Sequence, residues 1–235
     1  MSAIGGLAFF AQAAGSHIVY LAAEPSGPHN EALIVRANSP LKSVADLRGH
    51  TVALTKGSSS EYLLVEALGK AGLKLSDIKP IFLIPSDARA AFEGGKVDAW
   101  AIWDPYLAVV QKAFDTRTLA DYASGITQPF GYFLGAPDFV KAHRDVIELV
   151  FAEVSKNDLW VQQHQDETVK LIAAETGIPS TTVKFFLDRS KFGLLPLSSS
   201  ILESQQHVAD VFYQAGAIPN AVRIENIVLP IPIVH

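Results

Sequence analysis

Apolar residues recur along this chain in two rhythms, short continuous runs and helical phase, and the two alternate. Residues 17–23 are an apolar run too short for a buried helix and read as a strand. A Pro/Gly loop over 24–29 follows, then a second strand over Glu31–Arg36. Ser43-Val44-Ala45-Asp46 has the spacing of a capping box and opens a one-turn helix that stops at Gly49. Residues 50–55 are apolar and β-branched, again a strand. Beyond Lys56-Gly57-Ser58-Ser59-Ser60-Glu61, the positions Leu63, Leu64, Ala67, Leu68 and Ala71 keep helical spacing as far as Gly72. Residues 81–84 read as a strand, 85–93 as a helix stopped by Gly94-Gly95, 97–103 as a strand and 105–114 as a helix. Three strand–helix repeats between residues 50 and 114 predict a parallel sheet with right-handed crossovers.

The last of these strands ends in Trp100-Ala101-Ile102-Trp103-Asp104-Pro105-Tyr106. Alternation puts Val97, Ala99, Ala101 and Trp103 on one face, and Trp100 and Ile102 on the other. Asp104 then serves as a helix N-cap with Pro105 at the first helical position. Trp103 and Asp104 thus fall at the carboxyl end of a strand, where open α/β sheets bind ligands.

From about Asp138 the texture is helical: 139–164, then 167–175 ending at Gly177, then 180–190 and 200–216, with a proline-containing tail. Residues 128–134 are strand-like and aromatic. Residues 1–14 are apolar and end in Ala11-Gln12-Ala13-Ala14, which resembles a signal cleavage site. A signal peptide wants a basic start, however, and the first Lys or Arg is Arg36. The segment therefore reads as a glycine loop at Gly5-Gly6 and a short buried helix through Ala14, capped by Gly15.

Composition narrows the function. With 235 residues, 49% of them hydrophobic, the chain can bury a sizeable core in one large domain or two small lobes. A net charge of −5 and no dense run of Lys and Arg argue against nucleic acid as a partner. The absence of cysteine excludes disulfides, thiolate metal sites and cysteine nucleophiles. No apolar run approaches the roughly 18 residues that span a bilayer.

The clearest candidate site is Gly57-Ser58-Ser59-Ser60, between a strand and a helix. Unpaired first-turn N–H groups and the positive end of the helix dipole attract an anion there, and serine hydroxyls add neutral donors. Ordinary N-capping explains the same residues. No Gly-Lys-Ser/Thr follows, so this is not a P-loop. Trp103, Asp104 and Tyr106 suit a pocket wall, or core packing and a helix cap. Gly131, within Phe130-Gly131-Tyr132-Phe133, lets a ligand approach backbone, although core packing explains the phenylalanines. No catalytic or metal site is expected. The seven histidines show no His-x-x-x-His spacing, and there is no Gly-x-Ser-x-Gly elbow. Donors for an anion arrive without a nucleophile or base, which favours binding without chemistry and without a cofactor.

Four stretches carry a family resemblance. They are Leu41-Lys42-Ser43-Val44-Ala45-Asp46-Leu47-Arg48-Gly49; Val52-Ala53-Leu54-Thr55-Lys56-Gly57-Ser58; Asp87-Ala88-Arg89-Ala90-Ala91-Phe92-Glu93-Gly94-Gly95-Lys96-Val97-Asp98-Ala99-Trp100; and Ile102-Trp103-Asp104-Pro105-Tyr106. Together they resemble the substrate-binding proteins of ABC importers for aliphatic sulfonates, taurine and nitrate, most closely the aliphatic sulfonate branch. The resemblance extends over nearly the whole chain. It implies a two-lobe α/β fold of the periplasmic-binding-protein type II class, with mixed and parallel sheets flanked by helices. Lobe one would be 1–36 and 128–235, and lobe two 37–127. A small organic anion would lie between them, its head group on Ser58, Ser59 and Ser60, with Trp103 and Asp104 at the wall. Gly5, Gly6, Gly131 and Tyr132 would contribute from the other lobe. The resemblance further implies a monomer in the periplasm or at the cell surface, delivering its ligand to a membrane permease.

Three departures stand out. By the resemblance, the chain is expected to lack the family's opening segment, with signal peptide and the first strand and helix of lobe one. Ser59 stands where relatives often have Asn. Gly5-Gly6-Leu7-Ala8 stands where relatives carry an acid followed by prolines. Two alternatives remain open. One is an enzyme on the same scaffold, though the resembling sulfinate desulfinases use a cysteine nucleophile and the thiamine-pyrimidine synthases use cysteine-rich and histidine motifs. The other is a truncated product without function.

Overall fold

The two hydrophobic rhythms become two kinds of element. The computed structural model describes residues 2–3 and 8–233. Among them the chain runs β1 (Ser2–Ala3), α1 (Ala8–Ala13), β2 (Val19–Glu24), β3 (Glu31–Arg36), β4 (Thr51–Leu54), α2 (Ser59–Lys70), β5 (Lys79–Phe82), α3 (Pro85–Glu93), β6 (Ala99–Trp103), α4 (Tyr106–Ala113), β7 (Thr116–Asp121), β8 (Gly131–Gly135), α5 (Pro137–Ala142), α6 (Arg144–Gln163), α7 (Gln165–Thr176), α8 (Ser180–Leu187) and α9 (Ser199–Gln214). Short 3-10 turns fall between them, and the one at Val44–Leu47 carries the predicted capping box. The chain forms two compact units. The first takes the described parts of Met1–Ser26, Gln128–Thr168 and Lys191–His235, and the second takes Gly27–Thr127 and Val169–Ser190.

The second unit is built on a five-stranded sheet in the order β5-β4-β6-β3-β7. The strands β5, β4 and β6 are parallel, as the strand–helix repeats predict. β3 is antiparallel to both β6 and β7, so the sheet is mixed. The resemblance implies 1–36 and 128–235 for lobe one, whereas 27–36 and Val169–Ser190 belong to this second unit. Hydrogen bonding puts β3 inside this sheet, with Leu33 opposite Ala101 on one side and Ala120 on the other. The first five residues of β3 are buried, as a strand between two neighbours must be. One core cluster joins Ile34, Ala53, Phe92, Trp100, Ile102 and Leu107, and Trp100 is fully buried against Phe92. β7 escapes the periodicity because Arg117, Thr118 and Asp121 interrupt it and only Ala120 is buried, the signature of an edge strand.

The first unit centres on a three-stranded antiparallel sheet, β1-β8-β2. Tyr20 and Tyr132 meet edge to face at 4.9 Å, both fully buried. Their hydroxyls are satisfied by α9: Gln205 Nε2 donates to Tyr20 at 2.9 Å, and Tyr132 donates to the Ile201 carbonyl at 3.2 Å. Leu21, Phe133, Val140, Ile147 and Phe151 form a second cluster with α5 and α6. The predicted helix over 139–164 is interrupted at His143, whose backbone leaves helical geometry (φ −133°, ψ 41°). The pattern hides this break because Val140 on one side and Ile147 on the other bury into the same cluster.

Gly135 marks a tight point in that core. A Cβ there would stand 2.5 Å from Val140 Cγ2 and 3.1 Å from Leu21 Cδ1. Gly135→Ala is therefore expected to destabilise by about 1–3 kcal/mol through overpacking, read from the urea midpoint. An unchanged midpoint would show that Val140 gives way freely.

Candidate functional site

β4 delivers residues 55–58 to the carboxyl edge of the parallel strands. Thr55 Oγ1 donates to the Leu83 carbonyl at 2.9 Å and ties that edge to the end of β5. Gly57 turns the chain with φ +70°, a conformation that disfavours any side chain. Ser58 then caps α2 from an extended backbone (φ −104°, ψ 168°). Its Oγ donates to the Thr55 carbonyl at 2.6 Å and lies 2.8 Å from Ser60 Oγ, so Ser60 is the donor within that pair. The carboxylate of Glu61 reaches back to accept the Gly57 N–H at 2.6 Å. Burial pushes Glu61 up, while the Gly57 amide and Lys56 pull it back. Ser59 and Ser60 are buried, and among the described residues their backbone N–H groups have no acceptor. They are the orphan donors of a twelve-residue helix, carrying the positive end of its dipole.

Trp103 and Asp104 stand at the end of the neighbouring strand β6, as the sequence predicts. Trp103 is half-buried, with Tyr106 edge-on at 6.5 Å. α4 begins at Tyr106, one residue later than expected, with Pro105 in the capping position. Asp104 still serves the helix, since its Oδ1 accepts the Ala108 N–H at 3.0 Å. Its carboxylate is gripped at both oxygens by Arg189, with Nε donating to Oδ2 at 2.6 Å and Nη2 to Oδ1. Arg189 also donates to Gln111 Oε1 at 2.9 Å and lies over the Phe185 ring. Burial pushes the Asp104 carboxyl up, and Arg189 and the Ala108 amide oppose the rise. Asp104 is thus half of a buried ion pair as well as a cap.

A second acid lies beside the serines. Glu31, at the start of β3, pairs in register with Trp103 and is 4% exposed. The Tyr122 hydroxyl donates to Glu31 Oε2 at 2.9 Å and also lies 3.4 Å from the Ser59 carbonyl. Glu31 Oε1 is buried without a partner among the described residues. Burial pushes this carboxyl up to about 7; the hydroxyls of Ser59 and Tyr122 oppose the rise and the charge of Asp104 adds to it. Neither Glu31 nor Arg189 was singled out from sequence. Arg189 lies 85 positions from its partner, with no local pattern linking them. For Glu31 a signal did exist, an acid leading a strand whose next four residues are all apolar.

The structure brings Ser58, Ser59, Ser60, Trp103 and Asp104 to one unit, at the ends of adjacent parallel strands. Gly131 and Tyr132 belong to the other unit. There Tyr132 is core, and the Glu24 side chain covers Gly131, where a Cβ would come within 3.0 Å of Oε2. Gly5 and Gly6 lie outside the described residues.

The fold is similar to that of the periplasmic aliphatic sulphonate binding protein SsuA from Escherichia coli, with a TM-score of 0.93 and 38% identity, covering 100% of this chain and 76% of that one. It is also similar to the alkanesulfonate-binding protein SsuA from Xanthomonas axonopodis pv. citri bound to MOPS, with a TM-score of 0.89 and 34% identity, covering 97% and 79%. This is the α/β fold of the periplasmic binding proteins. Residues 5–168 match the model of the NMT1/THI5-like family. The chain is also 41% identical over 218 residues to a protein of Escherichia coli (strain K12) named for binding aliphatic sulfonates, covering 92% of this chain and 68% of that relative. The chain belongs to the NMT1/THI5-like family, and it spans about two thirds of the length of two curated relatives that it matches.

Proposed function

We propose that this protein is the solute-binding component of an ABC importer and captures a small organic anion, an aliphatic sulfonate above all. The observation that carries the reading is the first turn of α2, where among the described residues the Ser59 and Ser60 amides stand without acceptors at the carboxyl ends of the parallel strands. Amide donors at a helix start suit a sulfonate's oxygens and its single charge. The Ser58 and Ser60 hydroxyls gain a ligand oxygen by exchanging the internal partners they now hold. Trp103 and Tyr106, at the end of the adjacent strand β6, offer apolar surface to an organic tail. The relatives named for sulfonates support the choice of ligand.

Binding proceeds without turnover. The chain has no cysteine, and among the described residues no group of three or more His, Asp or Glu is arranged to hold a metal. The protein works as a monomer in the periplasm or at the cell surface and hands its ligand to a membrane permease. Among the described residues no helix is long and apolar enough to cross a membrane itself.

Isothermal titration against alkanesulfonates, taurine, nitrate and sulfate tests this reading. Stoichiometric binding of a sulfonate with the ligand recovered unchanged is expected, and silence across the panel in folded protein sinks it. The double variant Ser58→Ala/Ser60→Ala is expected to lose about 1–3 kcal/mol of that affinity. Unchanged affinity returns the two hydroxyls to a purely capping role.

A further inference from the structure

The Ser58–Ser60 turn rests against a buried acid. Arg189 is spent on Asp104, and Lys56 faces Glu61. Glu31 touches this turn through Tyr122, whose hydroxyl bridges Glu31 Oε2 and the Ser59 carbonyl. We propose that Glu31 is a specificity-determining residue that fixes the charge the α2 site accepts. As a neutral acid it admits a monoanionic head group, and its own ionisation, or a second negative charge on the ligand, weakens binding. The proposal rests on the reading of the α2 start as the anion's seat.

Four observations support it. The Glu31 side chain is almost completely buried, and its Oε1 has no partner among the described residues. Water therefore screens its charge less than it would at the surface, and an ionised Glu31 repels an anion at the first turn of α2. The carboxyl is pushed up to about 7, so its charge changes within the working range of pH. Among the described residues, the groups acting on it include no cation. From α2 comes Ser59, from the turn at Tyr122–Ser124 comes Tyr122, itself stacked on Tyr62, and from the end of β6 comes Asp104, already paired with Arg189. Further out on β7, Asp121 is held by His29 at 2.7 Å. Glu61, within α2 itself, is a second acid that disfavours a dianion.

The test uses hexanesulfonate, which stays monoanionic throughout, and sulfate, a dianion, each titrated into wild type and Glu31→Gln. Wild type is expected to lose about tenfold or more in hexanesulfonate affinity between about pH 6 and pH 8.5 and to bind sulfate far more weakly. Glu31→Gln should hold hexanesulfonate affinity nearly level and bind sulfate better than wild type does at the higher pH. The variant keeps the His29–Asp121 pair, so only the share due to Glu31 disappears. An independent readout is the carboxyl carbon shift of Glu31 by NMR in wild type, whose midpoint should rise when hexanesulfonate is added, by linkage. Hexanesulfonate binding that is level with pH in wild type, or equally sloped in Glu31→Gln, overturns the role of Glu31 and leaves the anion seat standing. Absence of hexanesulfonate binding to either protein at every pH overturns both.

Discussion

Replacing Arg189 with methionine is expected to lower the stability of the protein by about 3–5 kcal/mol, because Asp104 is left charged and buried without a counterion. The pair is deeply placed, with side-chain exposure of 14% for Arg189 and 9% for Asp104. Both carboxylate oxygens lose charge-assisted hydrogen bonds together, and such bonds are the strong ones. Methionine keeps an apolar stem against Phe185, so the loss reports charge more than packing. The Arg189 carbonyl packs closely on Gly27, where a Cβ would stand 2.0 Å from it. Adding Asp104→Asn to Arg189→Met is expected to restore most of the loss, because the stranded charge is gone while the cap to Ala108 survives. Urea unfolding of the two variants beside wild type measures this. A loss below about 1 kcal/mol in the single variant, or no recovery in the double, would show that water reaches Asp104.

Glu31→Gln is expected to make the protein more stable at pH 8 by on the order of 3 kcal/mol, and by little at pH 4. The folded state raises the Glu31 carboxyl from its ordinary 4.5 to about 7, chiefly by burial. Below 4.5 both folded and unfolded chains hold the proton, and the full stability is present. Between 4.5 and about 7 the unfolded chain has released its proton while the folded chain keeps it, so stability falls as pH rises. Above about 7 the folded chain ionises too, and the loss is complete. Glutamine keeps an acceptor for Tyr122 and never ionises, so this pH dependence vanishes in the variant. Asp104 and Glu61 are raised and Asp98 is lowered, so the whole protein's profile mixes signs. The difference between wild type and Glu31→Gln at each pH isolates one group. A difference that does not grow with pH would mean that Glu31 is charged and solvated in the folded state.

Where burial repeats with a regular period, the sequence is enough. Leu63, Leu64, Ala67 and Leu68 announce α2, and the run ending at Trp103 announces β6, because in each the buried positions keep one rhythm. β7 shows the reverse case, since an edge strand that buries only Ala120 has almost no rhythm to read. The placement of β3 was out of reach because both of its partners are distant in sequence, and nothing within Glu31–Arg36 says which sheet it joins. For the candidate site, the serines and Trp103-Asp104 were legible as a helix start and a strand end, which are local events. The buried ion pair and the Glu31–Tyr122 contact span 85 and 91 positions. Long-range electrostatics of that kind leaves no mark on local composition. Tyr132 was legible as aromatic but not as core, because its hydroxyl finds its acceptor on α9, 69 positions away.

The way the chain is divided between its units has a consequence for the order of synthesis. Residues 27–127 are contiguous and carry the whole five-stranded sheet, so that sheet can close as soon as it has been translated. β2 has to wait, because its partner β8 begins more than a hundred residues later. At roughly 5–20 residues per second, Val19 to Ala23 stay unpaired on the ribosome for on the order of 5–20 s. Throughout that interval the nascent chain trails a bare apolar strand, a ready target for aggregation or for a chaperone.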